Sequence, residues 1–259
     1  MNLQSITTQK MTDTRKSVEV CFSPLSFPLF YKEDAIVVVI DVLRATSAIC
    51  TALHNGVEGI IPVATVAEAM EYKKKGFLTA AERHGQVVEG FDFGNSPFSY
   101  MTEEVRGKHI VLTTTNGTQA IEVARKAYKV VIGSFLNLEF LSSWLIEQNR
   151  DVILLCAGWK NKFNMEDTLF AGAVATNLFA TKNFTTDCDT SRAACLLYEA
   201  GENNIYDFLE NSSHRQRLEK LNLEKDIRYC LNINQAPVIP ILEGNTIVKL
   251  VDLPEKPVS

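Results

Sequence analysis

Four short segments of the sequence hold most of the side chains that could carry out chemistry. Carboxylates in these segments could hold a divalent cation, activate water or attack an electrophile, and their arginines could bind oxyanions through two parallel hydrogen bonds. Hydroxyl groups and turn glycines accompany them. The segments are DVLRATSA at 41–48, AERHGQVVEGFDFGNSP at 81–97, TTTNGTQA at 113–120 and CAGWK at 156–160, the last followed by Glu166 and Asp167.

The first segment, DVLRATSA, follows an almost unbroken apolar run at 35–40. This pattern predicts a buried strand that ends at Asp41 and a helix that begins soon after it. The free N–H groups and positive dipole end of such a helix favour an anion. Taken alone, the segment fits two interpretations equally. Asp41 is a catalytic aspartate beside an anion-binding Arg44, or the strand simply ends in a surface ion pair and a helix capped by Thr46 or Ser47.

The other three segments each have a structural interpretation beside the functional one. Glycines in 81–97 allow close approach of the backbone to a ligand, although Asn-Ser-Pro is ordinary turn chemistry. TTTNGTQA could hold a phosphate or sulfonate, or could be a strand end, a turn and a cap, since it lacks both GxGxxG and the P-loop lysine. Glu166 and Asp167 fit either dipole partners at a helix start or ligands of Mg²⁺.

The spacing of apolar residues predicts alternating strands and helices. We predict an α/β fold with a three-layer, βα-alternating architecture, built as two closely packed α/β subdomains that divide near 150–185. Ligand-binding loops in such folds follow the carboxyl ends of the strands, so the site is expected there. The predicted strands are 18–22, 35–42, 59–63, 77–81, 109–114, 129–134 and 152–157, with two short ones in 238–251. The predicted helices are 46–53, 65–75, 118–127, 138–148, 166–180, 191–200, 206–211 and 214–221.

The composition limits the class of protein. Hydrophobic residues make up 46% of the 259 residues and the net charge is −5, which allows a sizeable core and argues against nucleic-acid binding. No apolar run reaches the roughly 20 residues of a membrane span, and the polar residues 1–16 predict a flexible extension rather than a signal peptide. The six cysteines form no CxxC pair. We therefore predict a cytoplasmic protein without membrane or nucleic-acid partners, and a homo-oligomer remains open.

In this order, the four segments resemble the 2-phosphosulfolactate phosphatase family. A weaker similarity continues to 238–240, and the resemblance makes 17–259 the phosphatase domain. The sequence departs from the family at two places. Ala81 stands where the family commonly has glycine, and the run 159–161 stands where a glycine-containing loop is usual. Both changes are expected to alter the shape of the leaving-group pocket. The resemblance implies Mg²⁺-dependent hydrolysis of (R)-2-phospho-3-sulfolactate to 3-sulfolactate and phosphate, a step of coenzyme M-type biosynthesis. The alternatives are a phosphatase of the same fold acting on another small phosphorylated acid, and a non-catalytic anion-binding protein.

These considerations give each candidate residue an expected role. Asp41, Arg44 and Glu82 are the expected catalytic residues, with Asp41 as nucleophile if the route is covalent and a carboxylate as base if water attacks directly. The expected Mg²⁺ ligands are Asp41, Glu82, Glu166 and Asp167, with Asp92 as second choice. Arg44→Ala is expected to lose activity with little change in thermal stability. The expected substrate-binding residues are Arg83, Asn95, Ser96, Thr114, Thr115, Asn116, Gly117, Thr118, Cys156 and Gly158.

Overall fold

A computed structural model describes residues 14–251, in which eleven strands form one sheet. The sheet order is β5-β4-β6-β3-β11-β10-β7-β2-β8-β1-β9, where the strands are β1 Lys16–Cys21, β2 Ile36–Ile40, β3 Gly59–Pro62, β4 Leu78–Arg83, β5 Gln86–Val87, β6 His109–Thr113, β7 Lys129–Gly133, β8 Val152–Cys156, β9 Phe184–Thr185, β10 Pro240–Glu243 and β11 Thr246–Lys249.

Nine α-helices accompany the sheet in the described residues. They are α1 Ala45–His54, α2 Val66–Lys74, α3 Gly117–Ala124, α4 Leu138–Gln148, α5 Met165–Ala180, α6 Asp189–Gly201, α7 Ile205–Phe208, α8 Ser213–Glu219 and α9 Glu224–Cys230. Short 3₁₀ helices occupy Pro24–Leu29, Pro97–Tyr100, Glu103–Val105 and Phe135–Asn137. The prediction of a three-layer α/β fold is confirmed. The sequence analysis missed α9, β5 and β9.

Two sets of parallel strands meet at the C-terminal hairpin. One set is β4-β6-β3 and the other is β7-β2-β8-β1-β9, with parallel pairing inside each. The hairpin β10-β11 pairs antiparallel with both sets through single residue pairs, Ile241 with Val131 and Ile247 with Ile60. Because β10 pairs with β7, strands on either side of 150–185 lie in the same sheet. The subdivision near 150–185 stays a prediction.

The strand β2 shows why the sequence carries an unbroken apolar run before Asp41. All five of its residues are buried, and their side chains alternate between two cores. Val38 packs in the core that contains Phe170 of α5, and Val39 in the core that contains Ile49 of α1. A parallel strand covered by helices on both faces is apolar throughout instead of alternating. This burial fixes where the chain emerges at Asp41.

Other sequence predictions fall partly outside the described residues or need correction. Residues 1–13 of the predicted extension lie outside them, and Lys16 already belongs to β1. No helix among residues 14–251 is long and apolar enough to cross a membrane. The predicted cap of α1 is wrong. Thr46 Oγ1 instead accepts the backbone N–H of Asp41, and Ser47 Oγ donates to the carbonyl of Val42, so both hydroxyls tie the helix to the strand end.

The contact between α5 and α6 generates a stability prediction at Gly172. A Cβ atom there would lie 2.0 Å from the carbonyl oxygen of Ala194. Alanine in a helix is favoured over glycine by about 1 kcal/mol, but a backbone clash of this depth requires the helices to separate. We expect Gly172→Ala to lower the free energy of unfolding by roughly 1–3 kcal/mol. Urea denaturation measures this, and a stabilised variant would contradict the packing described here.

Candidate active site

A cavity of about 100 Å³ lies where the chain leaves β2 and β4. Its wall combines acidic, basic, amide and apolar side chains from five separate segments of the chain. The residues that line it are Asp41, Leu43, Arg44, Glu82, His84, Gly85, Asn95, Asn116, Trp159, His214, Arg217, Leu218 and Leu221.

Asp41 is held between the end of β2 and the start of α3. Its backbone N–H donates to Thr46 Oγ1, and the N–H of Thr46 donates to its carbonyl oxygen. Its side chain accepts the backbone N–H of Gly117. A Cβ atom at Gly117 would lie 2.9 Å from Oδ2 of Asp41, so this close approach needs glycine. The first and third sequence segments therefore meet at one carboxylate.

Four carboxylates lie within electrostatic reach of one another at this point. Burial and the charges of Asp167, Glu82 and Glu166 raise the pKa of Asp41 well above its usual value. Burial and the charge of Glu166 raise the pKa of Asp167 to about 7. Both shifts have the same cause, because buried like charges destabilise each other's ionised form. Added positive charge would stabilise this arrangement.

The second carboxylate, Asp167, is fully buried beneath the cavity wall. Its Oδ1 accepts the N–H of Val42 at 2.8 Å, and its Oδ2 accepts the N–H of Gly158 at 3.1 Å and the amide of Asn164 at 2.9 Å. Gly158 has a φ of +63°, and a Cβ atom there would lie 2.3 Å from the carbonyl oxygen of Lys162. Asp167 therefore joins the turn after β2 to the loop after β8.

Glu166 is paired with a histidine that the sequence analysis did not assign. Its Oε1 lies 2.6 Å from Nδ1 of His214 and also accepts the amide of Asn164. Burial acts to raise the pKa of Glu166, but the charge and hydrogen bond of His214 outweigh it, so this pKa lies below its usual value. Among residues 14–251, Oε2 of Glu166 has no hydrogen-bond partner.

Glu82 completes the acidic side of the cavity from the end of β4. One of its oxygens accepts the N–H of Gly85, and the other accepts Thr115 Oγ1 at 3.3 Å. Gly85 has a φ of +83° and follows His84, whose φ is +57°. This left-handed turn brings the backbone back over the Glu82 carboxylate and places it on the cavity wall.

The donor set fits Mg²⁺ through Asp41 and Glu82. In the described part of the chain, no group of three or more His, Cys, Asp or Glu side chains is arranged to hold a metal ion. Mg²⁺ usually takes one or two protein carboxylates and completes its shell with waters and substrate phosphates. Asp41 and Glu82 both line the cavity and supply such oxygens. Glu166 and Asp167 already engage His214 and N–H donors, and their roles as ligands stay predictions.

A basic and aromatic group from α8 and the loop after β8 forms another part of the wall. The guanidinium of Arg217 lies over the Trp159 ring, 4.5 Å from its centroid, and the His214 ring lies 6.0 Å from the same centroid. Leu218 and Leu221 also line the cavity and lie against Gly85. The sequence did carry a signal for this group. His214 and Arg217 are spaced i, i+3 on a predicted helix, a spacing that puts both side chains on one face.

Comparison with known proteins identifies the family. A family model described as 2-phosphosulpholactate phosphatase matches residues 22–245. The chain belongs to the 2-phosphosulfolactate phosphatase family. The resemblance inferred from the sequence is therefore confirmed, as is its assignment to a family of phosphatase enzymes.

Individual relatives from the 2-phosphosulfolactate phosphatase family cover most of the chain. A probable 2-phosphosulfolactate phosphatase of Caldanaerobacter subterraneus subsp. tengcongensis is 42% identical over 215 residues, which are 82% of this chain and 89% of that protein. A probable 2-phosphosulfolactate phosphatase of Thermotoga petrophila is 44% identical over 211 residues, covering 82% of this chain and 90% of that protein. One of Clostridium botulinum strain Alaska E43 is 34% identical over 222 residues, covering 84% and 93% respectively.

In this family member, Arg44 is bound to a residue that the sequence analysis missed. Its Nη1 donates to Oδ2 of Asp226 on α9 at 2.6 Å, and its Nη2 donates to the carbonyl of Gly85 at 2.7 Å. The side chains of Arg44 and Asp226 are 4% and 7% exposed. Ser96 Oγ donates to the other oxygen of Asp226. Arg44 thus lines the cavity while joining three segments, and the expectation that Arg44→Ala hardly alters stability does not fit this burial.

The remaining predicted residues fall into three places. Asn95 and Asn116 line the cavity; Asn116 accepts the N–H of Lys160 at 3.4 Å, and Oδ1 of Asn95 has no partner among the described residues. Cys156 is fully buried at the end of β8. Four others line a separate cavity of about 350 Å³: Arg83, Thr114, Thr115 and Thr118.

The polar groups of Arg83 and Asp92 form hydrogen bonds away from the main cavity. Arg83 Nη2 donates to Thr113 Oγ1 at 3.1 Å, and its Nη1 donates to the carbonyl of Glu82. Asp92, the second-choice metal ligand, accepts the N–H and hydroxyl of Thr79 and pairs with Lys73 at 2.6 Å. The substrate and metal roles given to these residues stay predictions.

The buried pair of Arg44 and Asp226 should dominate the effect of substituting either residue. Removal of one partner from a buried ion pair costs about 3–5 kcal/mol, because the other charge stays buried without a partner. We expect Arg44→Met to lower the free energy of unfolding by this amount and Arg44→Met/Asp226→Leu to recover much of it. The control is Arg228→Met, which breaks an exposed pair with Glu224 and should cost less than about 1 kcal/mol. Equal effects of both single variants would contradict the assignment.

The raised carboxylate pKa values predict how stability depends on pH without divalent cations. Asp167 has a pKa of about 7 in the folded protein against 3.8 for an ordinary aspartate, so between these values the folded state binds more protons than the unfolded state. Stability should therefore fall as pH rises through this window. Asp41→Asn should lessen the fall, because it removes one repelling charge while keeping an acceptor for Gly117.

Urea denaturation in EDTA at about pH 5 and about pH 8 measures this difference. Asp92→Asn is the matched control. Partial burial acts to raise the pKa of Asp92, but Lys73 and Thr79 outweigh it and lower this pKa, so its charge stabilises the fold. The control should lose stability at the higher pH, where Asp41→Asn gains it. A gain of stability from pH 5 to pH 8 in both proteins would refute the prediction.

Proposed function

We propose that the protein is a Mg²⁺-dependent phosphatase that hydrolyses (R)-2-phospho-3-sulfolactate to 3-sulfolactate and phosphate. One observation carries the proposal: the buried carboxylate of Asp41 lies at the start of α3 and lines a cavity that Glu82 also lines. Phosphoryl transfer needs such a positioned oxygen, oriented N–H donors and added positive charge, and the family supplies the substrate class.

The acidic side of the cavity has the groups that would act on the phosphoryl group. Asp41 and Glu82 would hold Mg²⁺, which when bound neutralises phosphoryl charge and orients the leaving oxygen. Asn116 presents its amide at the start of α3, and that helix end favours an anion. Asp41 is the reacting carboxylate, because it is the one fixed between the strand end and the helix start.

Two routes use Asp41 differently. In the covalent route its oxygen attacks phosphorus, the bond from phosphorus to the substrate oxygen breaks, and water then releases phosphate from the carboxylate. In the direct route Asp41 takes a proton from water, and the water oxygen attacks phosphorus while the bond from phosphorus to the substrate oxygen breaks. The proton then passes to the leaving oxygen, which gives the free hydroxyl group. Acid quenching during turnover separates them, because phosphate stays on the protein only in the covalent route.

The cellular setting of this reaction extends the same proposal. We extend it to a step of coenzyme M-type biosynthesis, which the family resemblance implies, and to a cytoplasmic location. The net charge of −5 supports the absence of a nucleic-acid partner. The small anionic metabolite is then the main partner, and the question of a homo-oligomer stays open.

A phosphate-release assay over small phosphorylated acids tests the proposal. We expect release from 2-phosphosulfolactate to require Mg²⁺ and to stop in EDTA. Asp41→Asn should reduce kcat by about 10²- to 10⁴-fold, since it removes the reacting oxygen. Asp92→Asn, which lies outside the cavity, should keep activity. Release unaffected by EDTA would exclude the metal, and stoichiometric binding without release would favour the anion-binding alternative.

A further inference from the structure

One wall of the cavity carries a cationic donor that the reaction at Asp41 does not use. Two arginines line the cavity in the described part of the chain, Arg44 and Arg217. The guanidinium of Arg44 is already engaged by Asp226 and the carbonyl of Gly85. In contrast, Nη2 of Arg217 is buried and has no hydrogen-bond partner within residues 14–251. The charge of Glu166 acts on this guanidinium, but the buried Nη2 has no acceptor among the described residues. A buried donor without an acceptor costs free energy, so a ligand that accepts from it gains affinity.

The structure fixes the orientation of this donor. Trp159 lies beneath the guanidinium plane at 4.5 Å, and a second contact, Nη1 of Arg217 with Ser213 Oγ at 3.4 Å, ties the side chain to its own helix. A guanidinium held over an aromatic ring keeps N–H groups for oxyanions. Leu218 and Leu221 add apolar surface to the cavity, which reduces competition from water.

The acidic residues decide which part of the substrate reaches Arg217. Asp41 and Glu82 also line the cavity, and these carboxylates repel any anion that no bound cation neutralises. A phosphorylated sulfonate with a carboxylate has one group that reacts and two oxyanions that do not. In the proposed reaction the phosphoryl group lies at Asp41. A non-reacting oxyanion is therefore best placed at Arg217, whose Nη2 has no acceptor within residues 14–251.

We propose that Arg217, supported by Trp159, binds a non-reacting oxyanion of the substrate, its sulfonate or its carboxylate, and thereby sets the preference for substrates with more than one anionic group. The inference rests on the proposed function for the identity of the substrate. Trp159 is a positioning residue in this arrangement, and Arg217 is the residue that touches the ligand.

A comparison of substrates in one variant tests the inference. The substrates are 2-phosphosulfolactate, 2-phospholactate, which lacks the sulfonate, and phosphorylated isethionate, which lacks the carboxylate. Arg217→Met should lower kcat/KM about 10- to 150-fold for substrates that carry the bound oxyanion, which is the range for a lost hydrogen bond to a charged group. The substrate without that oxyanion should change little, and its identity tells sulfonate from carboxylate. Arg217→Lys should recover part of the loss, because it restores charge without the planar stack.

Arg228→Met is the matched control, because this arginine also lies over a ring, that of Tyr206 at 3.8 Å, but on the exposed face of α9. It should leave all three kcat/KM values unchanged. Equal losses on every substrate in Arg217→Met would overturn the inference, since Arg217 would then serve the phosphoryl group or the fold. No loss on any substrate would overturn it as well.

A binding measurement separates this inference from the proposed function. Calorimetric titration of 3-sulfolactate needs no turnover, and we expect Arg217→Met to bind it about 10- to 150-fold more weakly than the wild type. If the wild type hydrolyses none of the substrates yet shows this difference, the proposed function fails and the oxyanion site stands. If both proteins bind 3-sulfolactate equally, or neither binds it, the oxyanion site is excluded.

Discussion

Mutual repulsion among buried carboxylates is the constraint on which this site depends. Asp41, Glu82, Glu166 and Asp167 come from four segments, and the charges of the other three raise the pKa of Asp41. Such a cluster destabilises the fold around it, since each buried charge disfavours the next. The fold compensates with hydrogen-bond donors, and the raised pKa values of Asp41 and Asp167 favour their protonated forms, which relieves the repulsion. Sites with this property are often functional, because stability is given up there for chemistry.

The surrounding structure distributes this compensation unequally. Asp167 is satisfied by the backbone N–H groups of Val42 and Gly158 and by Asn164, and Glu166 is satisfied on one oxygen by His214. These two carboxylates therefore hold neighbouring segments of the chain together beside the cavity. Asp41 and Glu82 retain surfaces on the cavity itself. The cluster thus divides into two carboxylates on the cavity and two that bind groups of the protein.

The C-terminal third of the chain supplies the opposite sign of charge. Helix α8 brings His214 and Arg217 to the cavity, and helix α9 brings Asp226 to Arg44. One arginine is thereby fixed as a buried structural link, and the other is left with a free donor against Trp159. The two arginines differ because Arg44 is hydrogen-bonded to Asp226, whereas the charge of Glu166 acts on Arg217 without a hydrogen bond to its Nη2 in the described part of the chain.

Many features of the fold follow from patterns among residues that are close together in the sequence. The apolar run before Asp41 is required by burial of β2 on both faces. The four polar segments at 41–48, 81–97, 113–120 and 156–160 mark the ends of strands, because runs of polar side chains do not continue into that core. Thr65 caps α2, with Oγ1 accepting the N–H of Glu68 three residues further on. These features depend on residues a few positions apart, so the sequence alone determined them and, through their order, the family.

Partnerships between distant segments were decided only by the tertiary structure. Arg44 and Asp226 are 182 residues apart, and Glu166 and His214 are 48 apart. No period or spacing relates such residues, because their proximity arises from how helices pack over the sheet ends. For the same reason the sequence analysis gave site roles to Arg44 and Arg83 and none to Arg217. The packing directed Arg44 to Asp226, turned Arg83 toward Thr113, and left Arg217 facing the cavity.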